Sequence, residues 1–138
     1  MRTFYFALIL LFSGSAYGQL YNFDHYSLEH GLAQSQVQCM MQDSRGYLWF
    51  GTLAGGASRW DGKEFTTFNE SNGLANNRIY TMLEDREKNT WFGTRDGGLT
   101  KYDGTSFTYL DTCNGITDPK VRCNLDDTRG NLGFGTIG

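Results

Sequence analysis

Proline occurs once in the 138 residues, histidine twice and cysteine three times. The two histidines, His25 and His30, lie close together near the N-terminus, and no C-x-x-C is present. A structural or catalytic zinc site needs more ligands at closer spacing, so no metal and no other cofactor is expected. Positive charge is also scarce. Twelve Lys and Arg stand against 15 Asp and Glu, giving a net charge of −3 and a pI near 5.2. That balance excludes the basic footprint of a nucleic-acid binder and argues against attraction to anionic membranes. Catalytic signatures are missing too. There is no G-x-S-x-G and no phosphate loop. No pair of carboxylates breaks the pattern in the way that glycoside cleavage normally requires. Asp43 precedes Gly46 by three residues, which is not the Asp-box spacing of sialidases. An enzyme is not expected. Long apolar runs are limited to one, Phe4 to Phe12, preceded by Arg2 and followed by the small-residue stretch Ser13 to Gly18. As a helix such a run spans only ~14 Å, too short for the ~30 Å hydrocarbon core. Residues 1–18 therefore read as a secretory signal peptide cleaved before Gln19. With no cysteine at that site a lipid anchor is not expected. The mature chain should be exported, periplasmic or extracellular, without membrane insertion after cleavage.

What the chain does have is glycine (18 residues), a 15% aromatic content, and a strict period of 42. Gly31, Gly73 and Gly115 keep that step, as do Asp43, Asp85 and Asp127, Phe50, Phe92 and Phe134, and Gly51, Gly93 and Gly135. Trp49 matches Trp91, and Phe65 matches Phe107. A fixed period without insertion means one supersecondary unit reused, which buries its apolar surface against copies of itself. Cys39 and Cys123 fall two periods apart and should not face each other. Cys113 and Cys123 could pair within one unit, though nothing demands it.

Read locally, the second unit predicts four strands: Arg78 to Glu84, Thr90 to Thr94, Leu99 to Tyr102, and Ser106 to Leu110. Apolar residues on both faces of the first two predict burial from two sides. Asp103-Gly104 is a two-residue hairpin signal. Four short antiparallel strands per 42 residues predict an all-β chain of β-propeller blades, here an incomplete propeller. The expected layout is a closing outer strand over 19–26, a first blade over 27–68, a second over 69–110, and a partial third over 111–138. Phe23 and Tyr26 lie one period before Phe65 and Phe68, which makes Leu20 to Tyr26 a fourth strand without its first three. In the third unit Gly133 replaces the tryptophan, and Arg122 and Asn124 replace apolar neighbours. This unit looks weakened, and the chain reads as a fragment, a truncated frame, or a subunit that needs a partner.

The phrases Gln42-Asp-Ser-Arg-Gly-Tyr-Leu-Trp-Phe-Gly-Thr52 and Glu84-Asp-Arg-Glu-Lys-Asn-Thr-Trp-Phe-Gly-Thr94 resemble the two-component regulator propeller repeat. Asn72-Gly-Leu-Ala-Asn-Asn77 and Gly97-Gly98 before Leu99 resemble it as well. The resemblance implies the periplasmic sensor region of hybrid two-component and histidine-kinase-type proteins. It further implies a glycan fragment or another small extracellular ligand as partner. The remaining blades and the signalling output would be supplied by a full-length relative.

The recurring residues have structural readings. Asp43, Asp85 and Asp127 should cap the turn between first and second strands through side-chain to backbone bonds. Trp49 and Trp91 should form core between blades. Gly51 and Gly93 should permit close approach. For ligand contact the choice falls on Gln36, Arg78 and Lys120, polar and 42 apart at the start of the first strands, with Arg95 and Asp96 on the same rim. Two further functions stay open: a secreted structural or protein-interaction repeat that assembles with other chains, and, less favoured, a propeller glycosidase.

Overall fold

A computed structural model describes residues 21–127 and 129–137; the signal-peptide reading of residues 1–18 lies outside them. Ten strands follow one short 3-10 turn at Leu28–His30. They are β1 (Val37–Gln42), β2 (Leu48–Thr52), β3 (Ala57–Trp60), β4 (Phe65–Phe68), β5 (Ile79–Glu84), β6 (Thr90–Thr94), β7 (Leu99–Tyr102), β8 (Phe107–Leu110), β9 (Val121–Asp126) and β10 (Leu132–Thr136). Two four-stranded antiparallel sheets, β1-β2-β3-β4 and β5-β6-β7-β8, precede the two-stranded sheet β9-β10. The architecture is a series of propeller blades. The first strands β1, β5 and β9 pack against one another from sheet to sheet.

Aromatic side chains fill the joint between sheets. Trp49, 1% exposed, stacks on Phe68 of its own blade at 5.3 Å between centroids. It meets Phe92 of the next blade edge-on at 5.6 Å. Trp91 meets Phe134 of the following unit at a tilt of 46° and 5.7 Å. These rings bury large areas and prefer tilted contacts, so they dominate the joint. Ile79, Leu74 and Met82 complete the first joint, and Leu99 and Val121 the second. Glycine lets the backbones close in. A Cβ on Gly51 would stand 2.5 Å from Cys39 Sγ and 2.7 Å from Ile79 Cγ2 of the next blade. A Cβ on Gly93 would meet Thr81 and, at 2.8 Å, Val121 Cγ1. At the opposite end Ser44 donates its N–H and hydroxyl to the Glu84 carboxylate at 2.7 and 3.0 Å. One unit later Arg86 donates to the Asp127 carbonyl at 3.1 Å.

The third and fourth strands of each blade are joined by a wider turn than the two-residue one expected at Asp103-Gly104. It spans Asp103 to Ser106, closed by the Asp103 N–H donating to the Ser106 carbonyl at 3.2 Å. The Asp103 carboxylate accepts the N–H groups of Thr105 and Ser106 and both hydroxyls, so the aspartate serves as the turn's acceptor and not as its central residue.

Residues 21–27 form no strand. Tyr26 nevertheless takes the place that the period assigns to it. It lies 5.1 Å from Trp60 and 5.6 Å from Phe65, at 51° and 80°. Phe68, one period later, lies 5.2 Å from Tyr102 and 6.1 Å from Phe107, at 51° and 62°. In the third unit Gly133 provides no indole, and Leu125 is 67% exposed. All three cysteines are free, with Cys113 and Cys123 exposed.

Candidate functional site

Each unit is organised by its repeated aspartate. Asp43 Oδ1 accepts the N–H groups of Arg45 and Tyr47 at 3.0 and 2.9 Å, and Oδ2 accepts the Trp49 indole at 2.9 Å. Asp85 accepts the backbone and side-chain N–H of Asn89, both at 2.8 Å, and the Trp91 indole at 2.7 Å. Asp127 has the Arg129 and Asn131 donors without an indole, because residue 133 is glycine. Burial pushes the Asp85 carboxyl up. The Asn89 and Trp91 donors, aided by the Lys101 charge, more than reverse this and hold it below the usual carboxylate range. The Asn131 amide does the same for Asp127. These carboxylates are turn and core devices, since their oxygens are taken up by the fold.

The other end of the strands is different. Leu53 donates its N–H to the Gln36 carbonyl at 3.0 Å, Arg95 to that of Arg78 at 3.1 Å, and Ile137 to that of Lys120 at 3.2 Å. These bonds put Gln36, Arg78 and Lys120 at one station in successive units, on one rim. Arg95 lies directly across from Arg78, and its guanidinium pairs with Asp96 at 3.5 Å. Both partners of that pair are half exposed, so it adds little stability. Gln36, Lys120, Arg95 and Asp96 are exposed, and Arg78 is half-buried.

Of these five, Asp96 also lines an open groove of about 480 Å³, with Gly97, Tyr109, Asp111 and Pro119. The Tyr109 hydroxyl donates to the Gly73 carbonyl at 2.7 Å, which fixes the ring at the groove's edge. Asp111 Oδ1 accepts the Cys113 N–H at 2.8 Å. The groove thus offers an aromatic side chain and two carboxylates. Gln36, Arg78, Arg95 and Lys120 stand outside its lining. Among the described residues no group of three His, Cys, Asp or Glu could hold a metal ion.

Sequence reasoning missed a second row on the same rim. The pairing of β1, β5 and β9 with their neighbours skips Gln38, Tyr80 and Arg122, which are bulged out of the ladder. Arg122 reaches across the joint and places its guanidinium 4.0 Å from the Tyr80 ring centroid. Their 42-residue spacing was available as a signal, but the three residue types differ. Bulges re-aim side chains and often mark functional positions.

The class that this geometry defines is the β-propeller, built of blades that share one aspartate-and-tryptophan frame. Residues 31–54 and 73–96 each match the two component regulator propeller family. Among curated proteins none matches at a significant level. The fold is similar to the crystal structure of the extracellular domain of a hybrid two component system from B. thetaiotaomicron, with a TM-score of 0.72 and 23% identity over 81% of this chain. The present chain spans 16% of that extracellular domain's chain. Among the described residues no helix is long and apolar enough to cross a membrane.

Proposed function

We propose that the chain is an exported, non-catalytic propeller segment that binds a small extracellular ligand, in the manner of a two-component sensor region. The observation that carries this is the groove beside Asp96, Tyr109 and Asp111, on the rim that also bears Arg78 and Lys120. An aromatic edge with carboxylate acceptors suits a glycan fragment, whose hydroxyls need acceptors and whose ring faces need a flat apolar surface. The repeat match supports the sensor reading. Any signalling output would belong to a larger protein of the kind that the structural neighbour represents. The test is calorimetric titration of the full chain with a panel of neutral and acidic oligosaccharides, with product analysis after each run. Binding without cleavage, weakened by Tyr109→Ala, is the expected result. Hydrolysis would favour the glycosidase reading, and a silent panel would defeat the sensing role.

A second reading is favoured by one contrast. Met82 is 8% exposed inside the first joint, whereas Met40, one period earlier, is 62% exposed. That face suits a further propeller unit, from this protein or another, and supports an assembly role.

A further inference from the structure

We propose that Arg78, Lys120 and Arg122, on the first-strand rim where Arg122 lies over Tyr80, form an anion site that takes the carboxylate of an acidic ligand. This rests on the reading above that the rim receives a ligand, and it names the ligand's chemistry.

The charge is the first ground. The rim bears four cations, Arg78, Arg95, Lys120 and Arg122, beside four carboxylates, Glu70, Asp96, Asp111 and Asp118. All four carboxylates are engaged: Glu70 Oε1 accepts the Asn77 N–H and Asp111 Oδ1 the Cys113 N–H, each at 2.8 Å. Asp96 pairs with Arg95 at 3.5 Å, and Asp118 Oδ1 accepts the Lys120 backbone N–H at 2.7 Å. Among the described residues Arg78, Lys120 and Arg122 form no ion pair, whereas Arg86, Arg95 and Arg129 each do.

Geometry is the second ground. A free arginine on a surface samples many rotamers, and ordering it opposes binding. Arg122 is held over Tyr80 at 4.0 Å, so the orientation of its guanidinium is set before any ligand arrives. Arg122 has no ion pair among the described residues, and the fork of a guanidinium matches a carboxylate with two parallel bonds. The contact also spans the joint between β5 and β9, so the site exists only when the two units are docked. A neutral solvated mouth would need neither the stacking nor three cations without an ion pair among the described residues.

The experiment is calorimetry of the full chain with trigalacturonate, galactotriose as the neutral counterpart, and low and high salt. Trigalacturonate should bind, and salt should weaken it. Arg122→Gln should weaken it about ten-fold or more, as expected for loss of charged hydrogen bonds. Arg122→Lys keeps the charge, loses the fork, and should also bind less tightly. Tyr80→Leu keeps every charge and should cost roughly two- to five-fold. Arg129→Gln, at the far end of the strands, should leave binding unchanged. Circular dichroism confirms that each variant is folded. If Arg122→Gln misfolds, Arg122→Lys and Tyr80→Leu carry the test. Equal affinity for galactotriose, or equal losses in Arg122→Gln and Arg129→Gln, would overturn the anion site while leaving ligand sensing intact. Failure of every acidic and neutral sugar would overturn both.

Discussion

The indole of Trp91 donates to Oδ2 of Asp85 at 2.7 Å, bridging the turn between β5 and β6 to the core of the next joint. Trp49 and Asp43 repeat the bond at 2.9 Å. Removing the carboxylate strands a buried indole donor. Asp85→Ala should therefore cost about 1–3 kcal/mol in urea unfolding. Trp49→Ala should cost about 3–5 kcal/mol. The loss from Trp49→Ala should exceed that from Trp91→Ala, because Trp49 packs against both Phe92 and Tyr102 while Trp91 meets Phe134. Equal losses at both positions would contradict this ranking.

Acid should act through the same turns. Asp85 and Asp127 titrate below the ordinary carboxylate range when folded, and Ser106 and Thr105 hold Asp103 far below it. A depressed folded pKa means that the unfolded chain binds the proton more tightly. The resulting stability is complete above the unfolded value of about 4 and is lost as pH falls through the folded values. The urea midpoint should hold steady from about pH 7 to about pH 5 and then drop. In Asp85→Asn the drop should be shallower, and an unchanged acid limb would argue against Asp85 as a contributor.

The thiols should separate by reactivity. Burial pushes the Cys39 thiol up to about 11, with a hydrogen bond involving Gly51 opposing. At about pH 8 only about one Cys39 in a thousand is then a thiolate. A thiol reagent should label exposed Cys113 and Cys123 quickly and Cys39 only after unfolding. Three fast equivalents in the native chain would refute this.

Glycine substitutions should sort by cause. Gly46 has φ 90 with nothing within 4 Å of a new Cβ, so Gly46→Ala should cost about 1 kcal/mol from backbone strain alone. Gly51→Ala adds a clash with Cys39 and Ile79 and should cost about 1–3 kcal/mol. The order of the two unfolding midpoints is the readout.

Residues 19–138 expressed alone are expected to self-associate. Met40 and Leu125 are 62% and 67% exposed on opposite ends of the stack, and apolar patches of this kind favour association. Light scattering after size exclusion should show mass rising with concentration, and Met40→Lys with Leu125→Lys should reduce it. A cooperative monomer at all concentrations would count against the expectation.

Much of the fold was legible because each local signal occurs two or three times. Thr90–Thr94 and Leu99–Tyr102 were expected with the bounds observed, and β5 and β8 begin one residue later than expected. Alternation and turn residues agree there, so period and propensity point the same way. The Asp103 turn was misplaced because an aspartate can sit inside a hairpin turn or cap it from the end. The link from aspartate to indole was readable as a shared six-residue spacing at Asp43–Trp49 and Asp85–Trp91. Side-chain partners six residues apart follow from strand pairing, which composition does not show. The contact of Arg122 with Tyr80 escaped notice because a bulge is set by backbone register and leaves no common residue type behind.

The contacts of Gly51 with Ile79 and of Gly93 with Val121 have a geometric consequence. Every joint pairs a residue without a side chain with a β-branched plug from the following unit, Ile79 or Val121. The closeness of that fit sets how far each sheet is rotated from the last, and a constant rotation is what bends a row of sheets into an arc. A single methyl at residue 51 or 93 would open the angle between neighbours and send the arc along a wider circle.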